Sequence, residues 1–236
     1  MAKKKLERFA EMKGFNCVYE PDMEDIQSGE YALKGKWCSD HFKNDHPITL
    51  ELGCGKGEYT VELARRNPDR NFIGVDVKGA RMWRGSKTAH SEGLENVVFL
   101  RTKIEFIEAF FAPGEVSEIW LTFSDPQPKD RKGTKRLTGA PFLERYRRIM
   151  KPDGIVHLKT DSTILSEATL DTLREEGIEP EVVYDDVHGS DRHSLSAEEA
   201  EVLDIRTFYE RMFLEKGKKI NYIRFRLSER VGENIG

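Results

Sequence analysis

The chain has 236 residues, 34% of them charged, with 42 acidic against 38 basic side chains and a net charge of −4. A mean hydropathy of −0.62 and the lack of any run near the ~20 apolar residues of a membrane helix argue against a spanning segment. No signal-type apolar core opens the chain, so a cytoplasmic protein is expected. Cys17, Cys38 and Cys54 are scattered, odd in number and without C-x-x-C spacing, which argues against a disulfide framework or a zinc site. The length suits one well-buried domain with modest extensions. Because the balance is acidic, any nucleic-acid binding must come from a local patch.

Residues 1–46 read as an N-terminal extension. Lys3-Lys4-Lys5 and Arg8 make a short basic arm, which is either a frayed, solvated terminus or a phosphate contact. Phe15, Val18, Tyr19, Trp37 and Phe42 follow without periodicity and are expected to pack on the core. Residues 47–236 form the main domain, with a substrate-side cap over about 186–217.

The main domain opens on Ile48 to Asp76, ITLELGCGKGEYTVELARRNPDRNFIGVD. An apolar strand, Ile48 to Leu52, runs into Gly53-Cys54-Gly55-Lys56-Gly57. Val61, Leu63 and Ala64 then repeat with a helical period, Asn67-Pro68-Asp69 stops them, and Phe72 to Val75 delivers Asp76. Glycines let a backbone turn sharply and approach a ligand, and the next helix offers free N–H groups. An acid at the tip of the second strand can accept from both hydroxyls of a ribose. The third glycine of a dinucleotide G-x-G-x-x-G would fall on Glu58, and no G-x-x-x-x-G-K-[ST] phosphate loop is present. The pattern is E-x-G-x-G-x-G, with Glu51 leading. A carboxylate there repels a pyrophosphate and suits the cationic amino-acid end of S-adenosyl-L-methionine.

After Asp76 the alternation continues. A helix is predicted over Gly79 to Glu92, a strand over Val97 to Leu100, a helix around Ile104 to Ile107 and a strand over Glu118 to Phe123. Further helices are predicted from about Ala140 to Met150 and from Ser162 to Glu176. Further strands are predicted over Gly154 to Lys159, Pro180 to Tyr184 and Gly217 to Arg226. Continuous apolar runs separated by helices predict an α/β, Rossmann-like fold, a mostly parallel seven-stranded sheet with helices on both faces. Ligands in such sheets sit beyond the carboxyl ends of the strands. Gly53, Gly55, Gly57, Asp76, Thr102 and the residues after Phe123 are thereby expected at one crevice.

After Phe123 comes Ser124-Asp125-Pro126-Gln127-Pro128-Lys129. The two prolines are expected to hold an extended, stiff backbone that presents Asp125 to the crevice; the plainer possibility is a turn that Asp125 caps. From Lys129 to Lys151 nine cations face only Asp130 and Glu144. Lys129, Arg131, Lys132, Lys135 and Arg136, beside Asp125, supply the local charge a polyanion needs. Farther on, His188, Asp191, Arg192 and His193 lie in a polar stretch without recurring ligand spacing, expected to be a mobile loop over the site rather than a metal set.

Taken in order, E-L-G-C-G-K-G, G-V-D, F-S-D-P-Q-P-K with its basic loop, Met150-Lys151-Pro152-Asp153-Gly154, Leu158-Lys159-Thr160-Asp161 and the tail Thr207-Phe208-Tyr209-Glu210 resemble the bacterial tRNA (guanine-N7)-methyltransferase family over roughly residues 48–227. The resemblance implies a class I methyltransferase that uses S-adenosyl-L-methionine, without a metal, to form 7-methylguanosine at position 46 in the variable loop of tRNA. It implies cofactor binding by Glu51, Gly53, Gly55, Gly57, Asp76, Thr102 and Asp125, and catalysis by Asp125. It also implies substrate contacts by Lys129, Asp161, Thr207, Phe208, Tyr209 and Glu210. The charge of the basic loop itself points to RNA backbone contacts by Arg131, Lys132, Lys135 and Arg136, and a monomer or homodimer is expected. Two positions depart from the pattern. Thr102 stands where the family carries Asp or Asn, and Phe123-Ser124-Asp125-Pro126-Gln127 stands for F-P-D-P-[WH], without the aromatic that would stack on a base. A methyltransferase acting on another RNA base or an exocyclic amine, and a non-catalytic RNA-binding protein of the same fold, are the competing readings.

Overall fold

The computed structural model describes residues 2–130 and 132–227, with side chains from residue 5 onward. In chain order the elements are α1 (Ala2–Met12), β1 (Val18–Tyr19), α2 (Met23–Ser28), β2 (Ile48–Leu52), α3 (Glu58–Arg66), β3 (Asn71–Asp76), α4 (Gly79–Glu92) and β4 (Val97–Arg101). They continue with β5 (Val116–Thr122), α5 (Ala140–Ile149), β6 (Met150–Thr160), α6 (Thr163–Glu175), β7 (Pro180–Tyr184), α7 (Ala197–Leu203), α8 (Phe208–Glu215) and β8 (Asn221–Leu227).

The strands form one sheet in the order β1-β4-β3-β2-β5-β6-β8-β7. All neighbours from β1 to β6 pair parallel, and β8 runs antiparallel to both β6 and β7. The order reverses between β2 and β5, which opens the crevice at their carboxyl ends.

The central strands are buried on both faces, and their alternation assigns side chains to two cores. Leu50, Leu52, Ile73, Val75, Val98, Leu100, Ile119 and Leu121 face the core shared with Phe142 and Tyr146 of α5 and Leu165 of α6. Phe72, Phe99 and Trp120 face the other core, shared with Tyr59 and Leu63 of α3, Met82 of α4 and Leu203 of α7. Each fully buried large side chain contributes about 1.5–3 kcal/mol, so the carboxyl-end loops hang from a rigid frame.

The sheet has eight strands among the described residues, one more than expected. The extra strand is Val18–Tyr19 of the N-terminal extension, which pairs with Phe99 and Leu100 at the β4 edge. The arm around Arg8 is the helix α1. Its Arg8 guanidinium lies 4.6 Å over the Trp83 ring, and Glu11 accepts from Trp83 Nε1 at 2.7 Å and Lys87 at 2.7 Å. Trp37 is fully buried and donates to the Phe110 carbonyl at 2.9 Å.

Several element ends shift by a residue or two, as where β5 spans Val116–Thr122, and three departures are larger. β6 starts at Met150, because Met150 pairs with Val116 before a bulge. The last strand starts at Asn221 rather than Gly217, because α8 runs through Glu215 and Gly217 takes a positive φ of 69° just after its end. The segment after β7 is not a loose loop. It carries a 3₁₀ turn at Arg192–Ser194 and the capped helices α7 and α8. Asp191 accepts from the Asp185 and Asp186 N–H groups at 2.7 and 2.8 Å, and Arg192 grips Asp204 with two bonds of 2.8 and 2.7 Å.

Candidate active site

At the carboxyl end of β2 the chain turns through Gly53, Gly55 and Gly57, whose φ angles are 80°, 57° and 68°. The turn is pinned by Gly53 and Cys54 N–H groups donating to the Val75 carbonyl at 2.8 and 3.1 Å. A Cβ at Gly53 would meet nothing nearer than Leu137 Cδ1 at 3.9 Å, so the glycine keeps the floor of the crevice open. At Gly57 the reason is packing: a Cβ would stand 2.4 Å from Phe99 Cε1.

Asp76 ends β3 facing this turn. Its Oδ2 accepts from Gly55 N–H at 2.9 Å and its Oδ1 from Lys78 N–H at 2.7 Å, which fixes the carboxylate plane. Two clefts of about 90 and 260 Å³ meet at Gly53 and Asp76. One is lined by Glu51, Gly55, Thr122, Phe123, Thr207 and Tyr209. The other is lined by Val77, Thr102, Lys103, Ile104 and Glu105. Thr102 Oγ1 is buried there without a hydrogen-bond partner. A carboxylate therefore sits midway along an elongated crevice, with a buried acid toward one end and an unsatisfied hydroxyl toward the other.

Glu51 is almost fully buried on β2. Its Oε2 accepts from the Thr60 N–H at 2.8 Å and from the Thr60 hydroxyl, and its Oε1 accepts from the Thr122 hydroxyl. Burial pushes its pKa up to about 7, against these donors, and the Asp76 charge adds to the rise. A cation arriving in the cleft would relieve both effects. Thr122 was readable in principle: on β5 it shares the face of Trp120, as Glu51 does on β2.

The wall opposite the glycine turn comes from about 150 residues later. Thr207 caps α8 by accepting from Glu210 N–H at 3.1 Å, and Phe208 N–H donates to Glu58 Oε2 at 2.7 Å. Lys56 Nζ lies 3.4 Å from the Phe208 ring centroid and 5.6 Å from that of Tyr209. Lys56 and Glu58 were not expected in the site from sequence; they clamp the tail motif onto it.

Glu210, expected to meet the substrate, is fully buried instead. It pairs with Lys159 Nζ at 2.8 Å and with His188 Nε2 at 2.8 Å. Lys159 also donates to the Leu203 and Ile205 carbonyls at 2.7 and 3.0 Å. Burial pushes the Lys159 pKa down while Glu210 holds it up. This core of charge ties β6 to the α7–α8 cap, and His188, from the polar stretch, belongs to it. In this arrangement Glu210 holds the cap and does not face the crevice.

Asp125 lies exposed three residues beyond the end of β5, two after Phe123, which lines the cleft. The segment is not extended. Phe123 and Gln127 have φ of 51° and 45°, and Asp125 Oδ1 accepts from Gln127 N–H at 2.9 Å. That turn leaves the second carboxylate oxygen to the surface. Arg136 returns to the segment through a 3.2 Å bond from Nε to the Pro126 carbonyl. Lys129, Lys132 and Lys135 are exposed along the same loop; Arg131 lies outside the described residues. Asp161 stands after β6, 3.2 Å from Lys218 Nζ. Among the described residues no three His, Cys, Asp or Glu side chains gather as a metal set, and no helix is long and apolar enough to cross a membrane.

A family model described as "Putative methyltransferase" matches residues 45–223. A tRNA (guanine-N(7)-)-methyltransferase of Christiangramia forsetii is 54% identical over 96% of this chain and 99% of its own. Another, of Bacteroides thetaiotaomicron, is 50% identical over 97% of this chain and 88% of its own. Among solved structures, the 16S rRNA methyltransferase KamB superposes with a TM-score of 0.59 at 16% identity, over 81% of this chain and 92% of that one. A 16S rRNA (adenine(1408)-N(1))-methyltransferase from Catenulisporales acidiphilia gives 0.55 at 15% identity, over 91% and 95%. The structural neighbours establish the class I methyltransferase fold, and the sequence relatives establish more: the chain belongs to the tRNA (guanine-N(7)-)-methyltransferase family.

Proposed function

We propose that this chain methylates N7 of guanine 46 in the variable loop of tRNA, using S-adenosyl-L-methionine, in the cytoplasm. The observation that carries the reading is the two-lobed crevice centred on Asp76, in a chain so closely related to named tRNA (guanine-N(7)-)-methyltransferases. The donor fits the residues present. Asp76 would accept from the ribose hydroxyls, Glu51 would balance the cationic amino-acid end, and the orphaned Thr102 hydroxyl would meet a polar edge of the adenine. Bound there, S-adenosyl-L-methionine supplies an electrophilic methyl group.

The remaining work falls to the chain. Guanine N7 carries a free lone pair, so no base is needed to remove a proton. Positive charge develops on the purine as N7 is alkylated, and the second oxygen of Asp125 would hold the base and stabilise that charge. Gln127 N–H fixes the carboxylate through its other oxygen. Tyr209 and Phe123 line the cleft, and their rings would limit water at the reacting atoms. Alignment of N7 with the methyl group supplies most of the acceleration. Arg131, Lys132, Lys135 and Arg136 contact the RNA backbone, and Lys129 and Asp161 the substrate nucleotide. Thr207 and Tyr209 contact the substrate-side cleft.

The test is incubation with unmodified tRNA and methyl-labelled S-adenosyl-L-methionine, followed by nucleoside mass spectrometry. 7-Methylguanosine is expected. A different methylated nucleoside would move the target atom, and binding of the donor with no label in RNA would remove the catalytic reading.

A further inference from the structure

A second concentration of positive charge lies outside the Lys129–Arg136 loop. A groove runs from the glycine turn along α3, bounded by α4 on one side and residues 204–211 on the other, and six cations line it against three acids. Lys56 and Glu58 line both this groove and the cofactor cleft, so the two are continuous. α3 is nine residues long, which gives the groove a run of about 13 Å.

Two of the six cations are neutralised in place: Arg65 pairs with Glu62 and Glu92, and Arg66 with Glu62. Asp204 is gripped by Arg192 from outside the groove. Glu58 spends Oε2 on the Phe208 N–H and stands only 4.0 and 3.9 Å from Arg84 and Arg211. Arg84 and Arg211 are 67% and 53% exposed. Arg206 is exposed and, like Lys56, makes no ion pair among the described residues. At the groove mouth Phe208, with Lys56 on its face, keeps 47% of its surface in solvent. Arg81 lines the cofactor cleft one turn before Arg84 on α4, so the track of charge is unbroken. In a chain of net charge −4, a groove that leads to the reaction cleft and keeps Lys56 and Arg206 unpaired among the described residues, with Arg84 and Arg211 sharing one acid at about 4 Å, has polyanion chemistry.

We propose that this groove binds phosphates of the tRNA backbone beside the target nucleotide, through Arg84, Arg206 and Arg211, with Phe208 stacking on a base or ribose at its mouth. The proposal rests on the tRNA reading above and adds a second binding track on the opposite side of the cleft from the Lys129–Arg136 loop. These contacts are to phosphate, so they raise affinity for any tRNA without selecting guanine.

The test is binding of unmodified tRNA to the Arg84→Gln/Arg206→Gln/Arg211→Gln protein at several salt concentrations, beside single variants and the wild type. The expected result is a loss of about tenfold to a hundredfold at 0.15 M salt, with the slope of log K on log salt reduced by about two to three. The loss should be equal for a tRNA lacking the target guanine, and donor affinity by calorimetry should hold. Unchanged affinity and slope in the triple variant, with wild-type methylation of tRNA, would overturn the groove proposal alone. Wild-type protein that neither binds nor methylates tRNA would instead overturn the reading on which it rests.

Discussion

Replacing Glu51 by Gln separates what the residue does for the fold from what it does for the site. In the structure both carboxylate oxygens are bonded, to the Thr60 N–H and hydroxyl and to the Thr122 hydroxyl. Gln can keep this arrangement, its carbonyl accepting from Thr60 and its amide donating to Thr122. The charge is what changes. Burial raises the Glu51 pKa from the ordinary 4.5 to about 7. Between those values the folded state holds a proton that the unfolded chain has released, so stability falls as pH rises, and the penalty is complete above pH 7. At about 1.4 kcal/mol per pH unit the penalty is about 3 kcal/mol at pH 8 and about 1 kcal/mol at pH 5. Glu51→Gln lacks it. The variant should therefore gain about 2–3 kcal/mol on the wild type between pH 5 and pH 8, or about 5–10 °C in Tm for a chain of this size. Thermal unfolding followed by fluorescence at pH 5, 6, 7 and 8, without donor, reads this directly. Calorimetry should show donor affinity reduced at least tenfold in the same variant, because the cationic end loses its counter-charge. A Tm difference that does not change with pH would refute the argument that Glu51 is kept for binding at the expense of stability.

Three other outcomes follow from the geometry. Asp125→Ala should leave donor affinity within a few-fold and cut turnover by about 10²-fold or more, the scale of losing one transition-state stabiliser; wild-type single-turnover rates would remove Asp125 from the mechanism. Glu210→Ala strands the Lys159 ammonium at 0% exposure and should cost about 3–5 kcal/mol in chemical unfolding; a stable variant with weakened tRNA binding would show that Glu210 contacts substrate after all. Gly57→Ala would force a Cβ to 2.4 Å from Phe99 at a φ of 68°, so its Tm should fall well below that of Gly29→Ala, where a Cβ meets nothing within 4 Å at a similar φ of 67°.

The parts of the fold readable beforehand are those where one physical signal dominates. β2, β3, β4 and β5 are short apolar runs buried on both faces, and glycine with Asp76 marks where they end, so the crevice could be located from spacing. β1 could not: two residues hold it at the sheet edge, too few to show a period. The stretch after β7 reads as a loose loop because it is polar and α7 is short and acidic, and its order comes from long-range ties such as Lys56 to Phe208 and Glu58 to the Phe208 N–H. Glu210 shows the same limit. A carboxylate buried against Lys159 and one waiting for substrate are identical in sequence, and only the register that sets Lys159 beside Thr122 on the sheet tells them apart. At Asp125 the prolines suggested an extended arm, yet left-handed turns at Phe123 and Gln127 make a bend whose capping bond orients the acid.

The atom that is methylated distinguishes this activity most directly from any other RNA methylation. Two tRNAs differing only at position 46, one with guanine and one with 7-deazaguanine, would be incubated with labelled S-adenosyl-L-methionine and the incorporated label counted. Label in the guanine tRNA alone, recovered as 7-methylguanosine, is the predicted result. Equal label in the 7-deazaguanine tRNA would contradict the account, since that base has no N7 to alkylate.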